Sequence, residues 1–209
     1  MKKAHNFSAG PAILPQEVID SCTEALQNFS GTNLSLIEVS HRSKEFVSVM
    51  DEAQSLVKKI MKLDDSYAVL YLQGGASTQF LMVAMNLLKT KAAYTNTGTW
   101  AKKAIKEAKH FGEVDVVGDS SDKNFSHIPK DFSLDADYDY FHCTSNNTIC
   151  GTQMHSFPHS NSPLVCDMSS DIFSRELDFT QFDLIYAGAQ KNMGPAGTTL
   201  VVVKKEILG

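Results

Sequence analysis

The chain has 209 residues, of which 43% are hydrophobic and 21% charged, and its formal net charge is −5. That length suits one sizeable domain with a real core, or one domain with an arm, and the composition excludes biased and fibrous classes. The mild acidity and the absence of a basic patch argue against a nucleic-acid partner.

No stretch reaches the length of a membrane span, and the segment Met1-Lys2-Lys3-Ala4-His5-Asn6-Phe7 lacks the apolar run of a signal peptide. Cys22, Cys143, Cys150 and Cys166 have neither zinc-finger nor CxxC spacing, so no metal site is expected. They read as reduced thiols of a cytoplasmic protein, mostly buried, and none is a favoured nucleophile.

In chain order, Pro15 opens a predicted helix through Phe29, with Val18, Ile19, Cys22, Ala25, Leu26 and Phe29 at helical spacing. Ser30-Gly31-Thr32-Asn33 ends it. Ser43 is the expected N-cap of a second helix from Lys44 to about Lys62, with a stripe that includes Phe46, Val49, Met50, Ala53 and Ile60. Tyr67 to Leu72 is a short apolar run that suits a buried strand. Gln73-Gly74-Gly75-Ala76-Ser77 follows, then a predicted helix from Thr78 to Leu88.

Strand, small-residue turn and helix open a βαβ unit. The alternation continues with a strand at Ala92–Asn96, a helix at Trp100–Phe111 and a strand at Val114–Val117. Asp119 to Ser133 is polar and reads as a loop. Further strands are expected at Tyr138–Cys143, Leu164–Asp167, Asp183–Ala187 and Thr199–Val203. The result is a single α/β domain around a largely parallel sheet with helices on both faces.

Four local features bear on chemistry. Gly74-Gly75-Ala76-Ser77-Thr78 lies between a strand and a helix, where backbone N–H groups and the helix dipole favour an anion. The segment is neither a Walker motif nor GxGxxG, and an ordinary tight turn accounts for it equally well. Asp167 ends a strand, where ligands of open α/β sheets bind, and a carboxylate there can hold a protonated pyridine nitrogen. Taken alone, it reads as a loop or helix cap.

Lys191 lies between two apolar strands within Ala187-Gly188-Ala189-Gln190-Lys191-Asn192-Met193-Gly194. Small neighbours leave room for a bulky group at its amine, and desolvation would favour the neutral nucleophile that Schiff-base chemistry needs. A turn lysine in solvent is the competing reading. Trp100, the one tryptophan, follows Asn96-Thr97-Gly98-Thr99 and can stack on a planar heterocycle or serve as core.

These segments together resemble the phosphoserine aminotransferase family, within the class V aminotransferases and the type I pyridoxal-phosphate enzymes. The resemblance rests on Phe7-Ser8-Ala9-Gly10-Pro11-Ala12, Ser40-His41-Arg42-Ser43-Lys44-Glu45-Phe46, Gln73-Gly74-Gly75-Ala76-Ser77 and Thr97-Gly98-Thr99-Trp100. It continues through Thr144-Ser145-Asn146-Asn147-Thr148-Ile149, Asp167-Met168-Ser169-Ser170 and Gly188-Ala189-Gln190-Lys191-Asn192. Seven segments in family order cover essentially the whole chain.

The resemblance implies a three-layer α/β/α large domain at residues 15–209, preceded by an N-terminal arm at 1–14. It implies pyridoxal 5′-phosphate as cofactor, with Lys191 forming the Schiff base and moving a proton and Asp167 pairing with the pyridine nitrogen. Trp100 would stack on the ring, Ala76 and Ser77 would hold the phosphate with Gln190 nearby, and Thr148 would contact the phenolic-oxygen side. Arg42, with His41, would bind a substrate carboxylate or phosphate; a guanidinium offers either anion a bidentate fork.

The implied reaction moves the amino group of glutamate to 3-phosphohydroxypyruvate in a cytoplasmic homodimer of serine biosynthesis. Some family members also act on a related phosphorylated hydroxy-oxo acid in pyridoxal-phosphate biosynthesis. Family members continue beyond Gly209 into a smaller C-terminal domain, which leaves a truncated, non-catalytic binding or dimerisation module as the alternative. Another type I enzyme such as a cysteine desulfurase needs a cysteine in a mobile loop, and no cysteine here has that context.

Overall fold

The computed structural model describes residues 4–134 and 136–208. The expected arm at 1–14 begins in residues outside that set; from Ala4 to Pro15 the chain has neither helix nor strand. The elements are α1 (Gln16–Gln27), α2 (Lys44–Met61), β1 (Tyr67–Leu72), α3 (Gly75–Leu87), β2 (Lys91–Asn96) and α4 (Thr99–Ala108). They continue with β3 (Glu113–Asp119), β4 (Phe141–Thr144), β5 (Asn146–Asn147), β6 (Thr152–Gln153), β7 (Leu164–Asp167), β8 (Leu184–Gly188) and β9 (Thr199–Lys204).

Seven strands form one sheet in the order β1-β9-β8-β7-β4-β2-β3. Only β9 runs against its neighbours; the other six share one direction. Short runs such as Leu164-Val165-Cys166 suit this sheet because both of its faces are covered. Alternation sends Cys143, Cys166, Ile185, Leu200 and Val202 to one face, with Val57 and Met61 of α2 and the loop residues Met168, Ile172 and Phe182. It sends Tyr94, Val165, Tyr186 and Val201 to the other, under Phe80 and Val83 of α3 and Ala104 and Ile105 of α4. These are the three layers expected.

Element ends differ from the sequence reading for identifiable reasons. α3 starts three residues before Thr78 because Gly74 and Gly75 adopt φ of 91° and 67°, and the chain turns into the helix there. α1 stops at Gln27, and Phe29 turns inward as a buried residue of a separate short turn. α4 stops at Ala108, beyond which Phe111 N–H donates to Ala108 O to close the turn. β4 starts at Phe141, since the Asp139 carboxylate ahead of it accepts from the N–H groups of Lys89, Thr90 and Lys91.

Ser43 caps α2 as expected, accepting from Phe46 N–H at 3.2 Å. The stripe on α1 forms a helix without burying any of its residues, which leaves Cys22 exposed. With Cys150 half-buried, only Cys143 and Cys166 are interior thiols.

Candidate active site

The site lies at the carboxyl ends of the parallel strands, where the chain leaves the sheet and side chains converge. A cavity of about 130 Å³ opens there on the α3/α4 side. The start of α3 forms one wall with Gly75, Ala76 and Ser77. No side chain caps this helix end, so its first N–H groups are free to meet an anion. Trp100, in the first turn of α4, forms another wall.

Asp167, the last residue of β7, is buried at 4% exposure and faces the cavity. Its Oδ1 accepts from Ser169 N–H at 2.9 Å and from Ser169 Oγ–H at 2.6 Å. Gly188 N–H on β8 donates to the same Ser169 hydroxyl at 3.1 Å, which ties the carboxylate to the neighbouring strand. Burial pushes the Asp167 carboxyl above its ordinary range, against the Ser169 bonds and the Lys191 charge. A cationic N–H brought to this carboxylate would relieve the cost of burying it.

Lys191 sits three residues past β8, in the turn between β8 and β9. Ala189 N–H bonds Thr198 O and Gly194 N–H bonds Ala189 O, which close that turn. The Lys191 amine donates to Thr148 Oγ1 and lies 5.7 Å from the Trp100 ring centroid. Burial lowers its pKa from the ordinary lysine value, while the Asp167 charge pulls the other way. The N-terminal coil packs over it: Ala12 N–H donates to Gln190 O at 2.8 Å, and a Cβ on Gly10 would stand 3.0 Å from Lys191 Cγ.

A second, open hollow of about 320 Å³ shares Lys191, Thr148, Asn146 and Ser170 and is closed by Ala9, Asn147, Gly151 and Asn192. The lysine therefore stands between two spaces, one toward Asp167 and one toward the N-terminal coil.

Of the residues singled out from sequence, Ala76, Ser77, Trp100, Thr148, Asp167, Gln190 and Lys191 all line the first cavity. His41 and Arg42 do not; they are exposed in the turn ahead of α2. Besides Gly75 and Phe80, four polar wall residues had no assigned role: Thr144, Asn146, Ser169 and Ser170. Thr144 was accessible to reasoning, because it lies one alternation step beyond His142 on the cavity face of β4. The other three, like Thr144, lay inside segments already recognised, but only the fold shows what their side chains touch.

Fold and pocket together are those of an aminotransferase domain. The chain belongs to the family Aminotransferase class-V, which it matches over residues 4–209. Among relatives, phosphoserine aminotransferase of Flavobacterium johnsoniae is 65% identical over 210 residues, covering 99% of this chain and 59% of that protein. The enzyme of Parabacteroides distasonis is 57% identical, covering 99% of this chain and 58% of its own length. Among solved structures, phosphoserine aminotransferase from Bacillus circulans subsp. alkalophilus superposes with a TM-score of 0.94 at 45% identity, covering 98% of this chain and 58% of that one. The PLP-bound enzyme of Trichomonas vaginalis gives 0.91 at 34% identity, with 99% and 59% covered. The chain thus spans somewhat under three-fifths of the length of the proteins it matches.

Proposed function

We propose that these residues are the cofactor-binding part of a pyridoxal-phosphate-dependent transaminase. The whole protein would transfer the amino group of L-glutamate to 3-phosphohydroxypyruvate, giving O-phospho-L-serine and 2-oxoglutarate. The observation that carries this reading is that Lys191, Asp167 and Trp100, remote in sequence, wall one cavity with the uncapped start of α3. The Flavobacterium johnsoniae and Parabacteroides distasonis relatives are both named phosphoserine aminotransferase, which supports the substrate assignment.

The residues present fit the cofactor. The uncapped N–H groups of α3, with Ala76, Ser77 and Gln190 beside them, suit a phosphate. The Trp100 face suits a flat ring. The indole Nε1 and Thr144 Oγ1 are buried without a partner, which leaves polar atoms unspent at the cavity wall. When bound, pyridoxal phosphate supplies an aldehyde carbon and a ring that accepts electrons as a cation.

Asp167 holds a proton on a ring nitrogen as a charge-assisted bond. Lys191, eased toward the neutral form by burial, offers its amine as nucleophile and then as carrier of a proton. Thr148 receives the lysine's N–H and is assigned to the phenolic-oxygen side of the cofactor. Arg42 and His41, exposed ahead of α2, are assigned to a substrate anion, and they would reach it across a homodimer interface. Residues 1–14 are assigned to an arm and 15–209 to the cofactor-binding domain, in a cytoplasmic enzyme of serine biosynthesis.

The test is the visible spectrum of the purified chain with added pyridoxal phosphate, with Lys191→Ala as control. A long-wavelength band that borohydride fixes onto Lys191 supports the reading. A folded wild-type chain that shows neither band nor fixed label overturns cofactor binding by these residues.

A further inference from the structure

A chain of hydroxyls leads away from Lys191, and its direction can be worked out from valence alone. Ser170 Oγ lies 3.0 Å from Asn146 O, a carbonyl oxygen that can only accept, so the single Ser170 proton goes there. The Ser170 oxygen is then an acceptor toward Thr148 Oγ1 at 3.1 Å, and the single Thr148 proton is committed to it. With its proton committed, Thr148 Oγ1 has only lone pairs to offer the Lys191 amine, its donor. The Asn146 side-chain amide reinforces the arrangement by donating to Ser170 Oγ at 3.3 Å. Both ends of the relay rest on backbone carried by β5 and the β8–β9 turn, so its polarity is built in.

We propose that Ser170 is a positioning residue for Lys191: by taking the Thr148 proton, it presents Thr148 Oγ1 to the lysine as an acceptor only. The inference rests on the reading of Lys191 as the amine that meets the cofactor. An acceptor-only neighbour favours the ammonium form and keeps any lone pair of the neutral amine from being engaged by Thr148. The lone pair is left to point into the cavities. Without Ser170, the Thr148 hydroxyl can turn and donate to the neutral amine.

Other groups around the lysine are unaffected by this change. Asp167 favours the ammonium from β7, and Lys103 stands 4.4 Å from the Trp100 ring on α4. Gln190, Asn146 and Asn192 are uncharged, and the N-terminal coil contributes Ala9 and Gly10.

The experiment is competitive acetylation of the full chain without cofactor, using acetic anhydride across pH and reading Lys191 by mass spectrometry. Ser170→Ala should lower the labelling midpoint of Lys191 by about one pH unit, roughly a tenfold gain in neutral amine well below the midpoint. Ser170→Thr, which keeps a hydroxyl, should restore the wild-type midpoint. Thr148→Val should lower it as well, and adding Ser170→Ala to Thr148→Val should produce no further shift, because Ser170 acts through Thr148.

An unchanged midpoint in Ser170→Ala, or a further shift in the double variant, overturns the proposal. Should Ser170→Ala fail to fold, the midpoint of Thr148→Val decides: no change there removes the acceptor from the argument. Pyridoxal phosphate labelling with borohydride on the same proteins separates the two readings. A wild type unlabelled at Lys191 defeats the cofactor reading, whatever the acetylation midpoints show about Ser170.

Discussion

Replacing Asp167 by Asn should move stability and cofactor binding in opposite directions. Both bonds that the carboxylate accepts come from Ser169 and fall on Oδ1, at 2.9 and 2.6 Å, and an amide oxygen can accept both. The fold therefore loses no hydrogen bond. It does lose a buried charge whose folded pKa is raised by burial.

The native state binds the proton more tightly than the unfolded chain, so the wild type is destabilised as pH climbs from the unfolded value through the higher folded one. The penalty is complete only above the folded pKa. The variant escapes it, so its thermal midpoint without cofactor should be higher than wild type at pH 7, and the gap should close in acid.

Binding should fall, because a neutral amide replaces the anion that meets a cationic ring nitrogen. A charge-assisted bond contributes about 1.5–3 kcal/mol, which corresponds to a dissociation constant for pyridoxal phosphate weaker by about 10- to 150-fold. Thermal scans and equilibrium titration of the visible band measure the two effects. Equal affinity in the variant would refute the role given to Asp167, and a large loss of thermal stability would show that the carboxylate is structural instead.

Arg175→Ala strips the ion partner, 2.9 Å away, from the fully buried Asp171 side chain and removes the donor to Met154 O; it should cost about 3 kcal/mol, seen as a lower denaturant midpoint. His142 is stacked on Tyr94, bonded to Tyr186 OH at 2.7 Å and held down to about 3 by burial. The unfolded chain takes up its proton first, so stability falls by up to about 1.4 kcal/mol per pH unit below roughly pH 6.5. His142→Gln should flatten that slope in pH-dependent unfolding curves. Gly98→Ala would place a Cβ 2.6 Å from Oδ1 of the buried Asn147, which also contacts Thr97 and Thr152; an overpacking cost of about 1–3 kcal/mol should appear in the melting temperature, with weaker cofactor binding because Thr148 is adjacent.

The sheet was legible because its strands are short apolar runs in a doubly covered layer, where composition and periodicity agree. Leu164–Asp167 emerges with its expected bounds, and Lys44–Met61 ends one residue from expectation. The helix on Gln16–Gln27 was equally legible as a periodicity, yet its stripe reports only local shape, and no residue of it reaches the core among those described. Lys191 and Asp167 were legible as types: a lysine wrapped in small residues and an acid at a strand end. That they share a cavity with Trp100 depends on which strands become neighbours, and β7 beside β8 and β4 is a tertiary outcome.

The residues that escaped sequence reasoning are small polar ones whose roles exist only through partners. Ser169 is informative because its hydroxyl joins Asp167 to Gly188 across two strands. Ser170 is informative because it joins Thr148 to Asn146 across a loop. A serine carries one proton, so its meaning is a direction, and direction is set by whichever neighbour cannot donate. Here that neighbour is the Asn146 carbonyl, more than forty positions from Lys191 in the chain. The segment Asp167–Arg175 therefore does more than present one carboxylate. Through Ser169, Ser170 and Asp171 it anchors β8, the β5–β6 hairpin and, by way of Asn192 and Ile172 O, the turn that carries Lys191. Positioning of the lysine and of the carboxylate is thus shared by this one loop, through Ser170 for the lysine and Ser169 for the carboxylate.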